Sequence, residues 1–427
     1  MVCLGSAVPQ EVLCEVKGAI ERVTKSSLGL VPAGLAMIAV TYGLARFAYG
    51  LFLPEFRETF ELDAAVLGLI GSGSYAGYCA AITISLIYTS KVGSRFMAAA
   101  AGLTAVVGMA LVATAPGAPF LAAGVLIAGS STGLASPPMA EAVSRAFDGN
   151  RQDRANTLIN SGTSVGVALS GPVALVAAGQ WRLAWIAFAA VGLAVLVWNL
   201  AAMPTAAPNG VGESSEEDEP NEVEGREAIE AEKPPPEKPP QITFGWLVGL
   251  RSLPLFLASV GLGLASAAYW TFSRDLVVQA GGLSQTGSTT FWVVLGISGL
   301  LGGAAGDLVG RFGLGVALRG ALFAMAASIG MLAVAPGALI ATYPSAAFFG
   351  ATYIMLTGIL LVWAVRVFRD RPSAGLGAAF LLIAAGQILG SYTAGIIAGS
   401  IGLQNTFAIF AGVAILSMIF GPRGEDS

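Results

Sequence analysis

Apolar residues run along the chain in long blocks, and polar residues gather in short breaks between them. A helix needs about 20 apolar residues to cross a bilayer. Twelve blocks meet that length, at roughly 28–54, 64–89, 93–114, 118–140, 155–178, 183–203, 245–273, 285–306, 312–335, 338–364, 373–399 and 403–421. The breaks carry Pro, Gly or charge. Lipid leaves an open backbone without hydrogen-bond partners, so such segments fold as helices packed in a bundle. The pattern predicts an all-α membrane protein of twelve transmembrane helices.

The pattern fails once, over residues 204–243. The run "ESSEEDEPNEVEGREAIEAEKPPPEKPPQ" is acidic and proline-rich, and Glu213–Glu237 holds eleven of the 26 acids. It cannot bury a core and is expected to be a disordered cytoplasmic linker, solvated or used for docking. It separates residues 28–203 from 244–421, two regions of six blocks each. Residues 1–27 carry Glu11, Glu15 and Glu21 and lack the apolar core of a secretory signal. Their Val12, Val16, Ile20 and Val23 recur at helical spacing, which suits an interfacial helix or a loose terminus. Residues 422–427 form a short tail.

Lys and Arg favour the cytoplasmic side of a membrane. With both termini inside, all but four of the 22 basic residues fall on the inner face. Arg57, Arg182 and Arg274 take outer loops, and Arg46 lies within a span. A multi-pass protein of the plasma (inner) membrane with cytoplasmic termini is therefore expected, its first partner being the lipid bilayer. Composition agrees: 55% of residues are hydrophobic and 11% charged, against about 25% charged in soluble domains. The net charge of −4 comes from the linker and implies no nucleic-acid partner. There is no histidine, and Cys3, Cys14 and Cys79 fit no metal or redox spacing. Ser–His and Cys–His nucleophiles and His-based zinc sites are excluded, so an enzyme is not expected and no cofactor is implied.

The two regions repeat one another at a single fixed shift, which carries Val40 onto Val260. "VTYGLARFAY" from Val40 falls on "VGLGLASAAY" from Val260, with Val, Gly, Leu, Ala, Ala and Tyr in common. Ala115–Gly117 falls on Ala335–Gly337, and Gly166 on Gly386. Parallel six-helix halves around an axis along the membrane normal are the plan of one large transporter class, with substrate bound between the halves. At the shifted position of Arg46 stands Ser266. A charge present in one copy only points to function rather than frame.

"GGAAGDLVGRFG", residues 302–313, joins spans eight and nine on the inner face. Its Gly303, Asp307, Gly310 and Arg311 fit G-x-x-x-D-x-x-G-R, and the chain thereby resembles the major facilitator superfamily over residues 28–421. The resemblance implies the twelve-helix transporter fold and assigns these four residues to an inner gate. The repeat-related "TSKVGSRF" has Ser90 where the acid belongs. Span five carries Gly171 and Pro172, which invite a kink and are similar to the span-five motif of antiporters in that superfamily, without its distal paired glycines. "GLARFAYGLFLP" is similar to the span-one signature of the YbfB/YjiJ-type group: Gly43, Arg46, Phe47, Tyr49, Leu53 and Pro54 match, and Ala45 replaces a glycine.

An arginine at mid-span costs about 2.5–3.5 kcal/mol on insertion scales. A watery cavity lowers that cost, and the planar guanidinium grips carboxylate or phosphate. Tyr42, Arg46 and Tyr49, at i, i+4 and i+7, are expected on one helix face, with Leu44 and Phe47 pointing elsewhere. Tyr75 and Tyr78, Asn160 and Ser164, Tyr269 and Trp270, Trp292 and Gln387 complete the candidate substrate site. Each of these also suits helix packing. No acid stands clearly at mid-span. Glu141 is the candidate for proton coupling, with an i,i+4 ion pair to Arg145 as its alternative role. The expected function is secondary transport of a small organic solute by alternating access, carried out by a monomer; the solute is expected to be an anion if no protein acid pairs with Arg46. Proton-driven efflux of lipophilic or cationic compounds and a transporter-like sensor or scaffold are the rivals.

Overall fold

The computed structural model describes residues 29–177, 179–203, 249 and 251–422, and its described elements are all helical. The linker, residues 1–27 and all of the tail but Pro422 lie outside the described residues. The helices are α1 (Gly29–Leu51), α2 (Ala64–Val92), α3 (Ser94–Ala113), α4 (Ala118–Ala146), α5 (Gly149–Val176) and α6 (Trp181–Ala202). The second half contains α7 (Leu253–Gln279), α8 (Gln285–Phe312), α9 (Leu314–Val334), α10 (Leu339–Val367), α11 (Pro372–Ile401) and α12 (Leu403–Ser417). Eleven described helices are long and apolar enough to span a membrane, and α12 is a shorter apolar helix.

The breaks in the sequence pattern become caps. The Asp63 side chain accepts from the Val66 N–H at 2.8 Å and opens α2. Ser284 does the same for α8 through Gly287. Such caps satisfy backbone donors that a helix start leaves free. The turns α2–α3 and α8–α9 pass through Gly93 and Gly313, with φ of 89° and 78°. These two glycines are related by the same shift that carries Val40 onto Val260, and φ of that sign suits glycine alone at no steric cost.

The duplicated glycines mark where helix backbones touch. A Cβ on Gly43 of α1 would lie 2.3 Å from the Gly166 carbonyl carbon of α5. A Cβ on Gly263 of α7 would lie 2.0 Å from the Ile383 oxygen of α11, and one on Gly386 3.1 Å from Gly263 Cα. The same crossing is thus built once in each half. The halves meet through α2 against α11 and α5 against α8. Ser72 donates to the Ile388 carbonyl at 2.9 Å. A Cβ on Gly68 would lie 2.5 Å from the Ser391 oxygen, and one on Gly171 2.3 Å from a Val293 methyl.

Two differences from the sequence pattern matter for the site. First, α1 is not uniformly α-helical: Ala39–Phe47 is a π segment, in which the Ala48 N–H reaches the Gly43 carbonyl. Second, α7 does not end at residue 273 but continues to Gln279. Arg274, assigned to an outer loop by sequence, and its neighbour Asp275 are 2% and 0% exposed inside the helix. They remain helical there because the first half supplies their countercharges.

Candidate functional site

The wide turns of the π segment carry Arg46 into the interior, where it is 6% exposed. Bonding from i to i+5 puts more residues in each turn and so changes which side chains share a face, and such segments are frequent at functional sites. Phe47, expected to point away from Arg46 and Tyr49, lines the same cavity as both. The guanidinium carbon lies 4.6 Å from the ring centre of Tyr78, 4.7 Å from Tyr75, 5.3 Å from Phe47 and 5.8 Å from Tyr42. Aromatic faces are negative and stabilise a desolvated cation by about 2 kcal/mol or more.

The polar partner of Arg46 comes from the other half. Its Nη2 donates to Gln387 Oε1 of α11 at 3.0 Å, and Gln387 Nε2 donates to the Tyr353 hydroxyl of α10 at 3.1 Å. Among the described residues no carboxylate pairs with Arg46, and its Nε has no hydrogen-bond partner. Beside it lies a small cavity between α1, α2 and α7, with room for about one water. Arg46, Phe47, Tyr49, Gly50, Gly71, Ser74, Tyr75, Trp270 and Thr271 line it.

Of the residues named from sequence, Arg46, Tyr49, Tyr75 and Trp270 line that cavity, and Tyr42, Tyr78 and Gln387 stand in contact with Arg46. Tyr42 also hydrogen-bonds Ser136 of α4 at 2.8 Å, and the Tyr49 hydroxyl donates to the Leu67 carbonyl. Trp292 lies one ring further out, edge-on to Trp270 at 6.0 Å. Others stand apart. Tyr269 is buried in the second half, stacked on Phe349 at 3.7 Å and hydrogen-bonded to Ser345. Ser164 fits against Gly299 at the α5–α8 crossing, and Asn160 is exposed. Glu141 is held in an ion pair by Arg145, one turn along α4. Asp307 and Arg311 are exposed and, among the described residues, in no ion pair; Gly303 and Gly310 have open space around them. Pro172 lies inside α5 just beyond the tight Gly171 contact.

Sequence reasoning missed three parts. Phe47 stacks on Trp270 across the two halves, centroids 4.0 Å apart. Tyr353 anchors Gln387 and meets Trp270 edge-on at 5.2 Å. Beyond them, two crossed ion pairs join α7 to α1 and the short helix Leu53–Phe60 that follows it. Arg57 pairs with Asp275 through Nε at 3.3 Å and Nη2 at 2.7 Å. Arg274 Nη1 reaches Glu55 at 2.6 and 2.8 Å and also the Leu51 carbonyl. Each half gives one cation and one anion, so the partly buried cluster is neutral. The signal was present in sequence as an acid and a base near the end of each of two repeat-related spans, without an indication that they meet. Below the ion pairs the backbones close, for a Cβ on Gly50 would lie 2.0 Å from the Trp270 oxygen. No group of three or more Cys, Asp or Glu able to hold a metal occurs among the described residues.

Known proteins share this architecture. The model of the Major Facilitator Superfamily matches residues 35–385. A hexuronate transporter of Bacillus subtilis (strain 168) is 25% identical, over 90% of this chain and 93% of its own. The crystal structure of the nucleoside transporter NupG superposes with a TM-score of 0.65 at 14% identity, covering 92% of this chain and 97% of that one. A bacterial homologue of the human lysosomal transporter Spinster, in an inward-facing and unoccupied conformation, gives 0.63 at 14% identity, covering 93% and 94%. At those identities the two structures speak for the fold alone. The family match extends over most of the length, from the helix that carries Arg46 to the one that carries Gln387. The chain therefore belongs to the major facilitator superfamily and is a multi-pass membrane transporter, not an enzyme.

Proposed function

We propose that this chain is a secondary transporter of a small organic anion, working by alternating access in the plasma (inner) membrane with both termini cytoplasmic. The observation that carries the reading is Arg46: a buried cation among aromatic rings, with no acid paired to it among the described residues. A guanidinium takes a carboxylate or phosphate in bidentate fashion. Its neutral partner, Gln387, belongs to the other half, so an anion bound at Arg46 sits where rocking of the halves changes access. A sugar acid is a natural first compound, because the Bacillus relative is named a hexuronate transporter and such an acid brings one carboxylate.

The state described is closed at the end that the charge bias places outside, by the two crossed ion pairs. Asp307 and Arg311, with Gly303 and Gly310, act as the inner latch, disengaged here. Asp275 stands between the halves and Glu141 does not, so Asp275 is the better place for proton coupling. A proton on Asp275 would free Arg57 and loosen the outer closure.

The test is thermal stabilisation of purified protein by a panel of organic anions and drug-like cations, on wild type and Arg46→Gln. Carboxylates should stabilise the wild type, with apparent affinity falling roughly 10- to 100-fold in the variant, as expected when a charged hydrogen bond is lost. Equal stabilisation of both proteins by anions rejects the reading. Stabilisation by cations alone favours efflux.

A further inference from the structure

The cavity beside Arg46 contains a second donor, contributed by the opposite half. Trp270 of α7 lines it, is 4% exposed, and has an indole N–H with no hydrogen-bond partner among the described residues. An indole N–H only donates. A buried donor left unmade is costly, so such an atom on a residue that lines a cavity marks a place for an acceptor; the Ser74 hydroxyl, also unpaired there, can accept as well as donate. Trp185, Trp292 and Trp363 also have unpaired N–H groups, but none of them lines the cavity. Trp270 shares its wall with Arg46, whose Nε is likewise unpaired. The two side chains are linked by Phe47, which follows Arg46 in sequence and stacks on the Trp270 ring at 4.0 Å.

We infer that the ligand carries two oxygen centres, a carboxylate for Arg46 of the first half and a hydroxyl or carbonyl oxygen that accepts from the Trp270 N–H of the second. The class is a hydroxy- or keto-carboxylic acid. The inference rests on the anion reading above and deepens it. The donors belong to different halves, so such a ligand bridges the moving parts, whereas a simple carboxylate holds only one. Phe47 and Tyr75 wall the same space. The cavity described has room for about one water, so the ligand enters when the halves part.

Two probes of similar size separate the contacts: glucuronate, which has ring hydroxyls, and cyclohexanecarboxylate, which has none. Binding is measured by calorimetry or thermal shift on the purified full chain as wild type, Arg46→Gln and Trp270→Phe. Trp270→Phe keeps a stacking ring and removes the N–H. It should weaken glucuronate roughly five- to tenfold, the worth of one neutral hydrogen bond, and leave cyclohexanecarboxylate within twofold. Arg46→Gln should weaken both. An equal effect of Trp270→Phe on the two probes, or no effect on either, overturns the Trp270 contact and leaves the anion reading standing. Indifference of both probes to Arg46→Gln, or failure of both to bind wild type, overturns the anion reading itself. Should Trp270→Phe not fold, the wild type decides: glucuronate must outbind cyclohexanecarboxylate at least fivefold.

Discussion

In α1, Gly43 lies against Gly166 of α5; at the repeat-related positions, Gly263 of α7 lies against Gly386 of α11. Between these matched contacts the helices part ways. Helix α1 widens into a π segment and buries Arg46, while α7 remains α-helical and places Ser266 at the equivalent position. Ser266 is fully buried and bonds to the Gly263 carbonyl of its own helix at 3.2 Å. The tyrosines that follow, Tyr49 and Tyr269, also diverge: one borders the cavity, the other stacks within the second half. Where two backbones touch, only glycine fits in either copy, so those positions stay alike. Where side chains face the space between the halves, the copies are free to differ, and the difference makes the site.

The severest way to break this comparison is Gly43→Val or Gly263→Val. Each added side chain meets backbone, at 2.3 or 2.0 Å from the first carbon alone. Overpacking costs about 1–3 kcal/mol when side chains can yield and more when they cannot. Both variants should lose most of the monodisperse, folded protein in size-exclusion chromatography. If one is tolerated and the other is not, the two crossings are not equivalent.

A smaller effect is expected from Asp275→Asn, which mimics a protonated acid. Removing one partner of a fully buried ion pair costs about 3–5 kcal/mol; the charge left here, Arg57, is 22% exposed, so the loss is smaller and falls on the closed state. Labelling of Thr271→Cys by an impermeant thiol reagent from outside should rise about tenfold or more, with the native cysteines replaced. The exchanged pair Arg57→Asp with Asp275→Arg should restore protection. Unchanged labelling would mean that Gly50 against Trp270 closes that end without the ion pairs.

The smallest effect belongs to Ser266→Ala. Its hydroxyl bonds within its own turn, so stability should change by less than about 0.5 kcal/mol and ligand binding not at all, in contrast to Arg46→Gln. A loss of binding in Ser266→Ala would show that the second copy also contributes its repeat position to the site.

The frame was legible in sequence because its rules are local or periodic. Span length and glycines at a fixed shift each leave a mark that needs no neighbour to read. Arg46 stood out for the same reason, as a charge where hydropathy forbids one. The list around it was readable only in part. Tyr75, Tyr78 and Gln387 do meet Arg46, whereas Asn160 and Tyr269 do not, because residues of one type serve both packing and binding. Phe47 was misdirected because a period of 3.6 was assumed through a segment that bonds from i to i+5. Arg274 was read as a loop residue because a lone charge belongs in water; its partner, Glu55, lies in the other half of the chain.

By itself, then, the order of apolar and polar residues determined a twelve-helix membrane protein, its duplication and the one charge out of place. Hydropathy is a property of each residue against lipid, and it sums along the chain without reference to fold. Tertiary structure decided that Arg46 faces tyrosines and Gln387 rather than an acid, that Trp270 shares its cavity, and that crossed ion pairs close one end. Those are relations between the halves, and burial makes them decisive, because a charge or N–H removed from water takes its energy from whatever group the fold brings beside it.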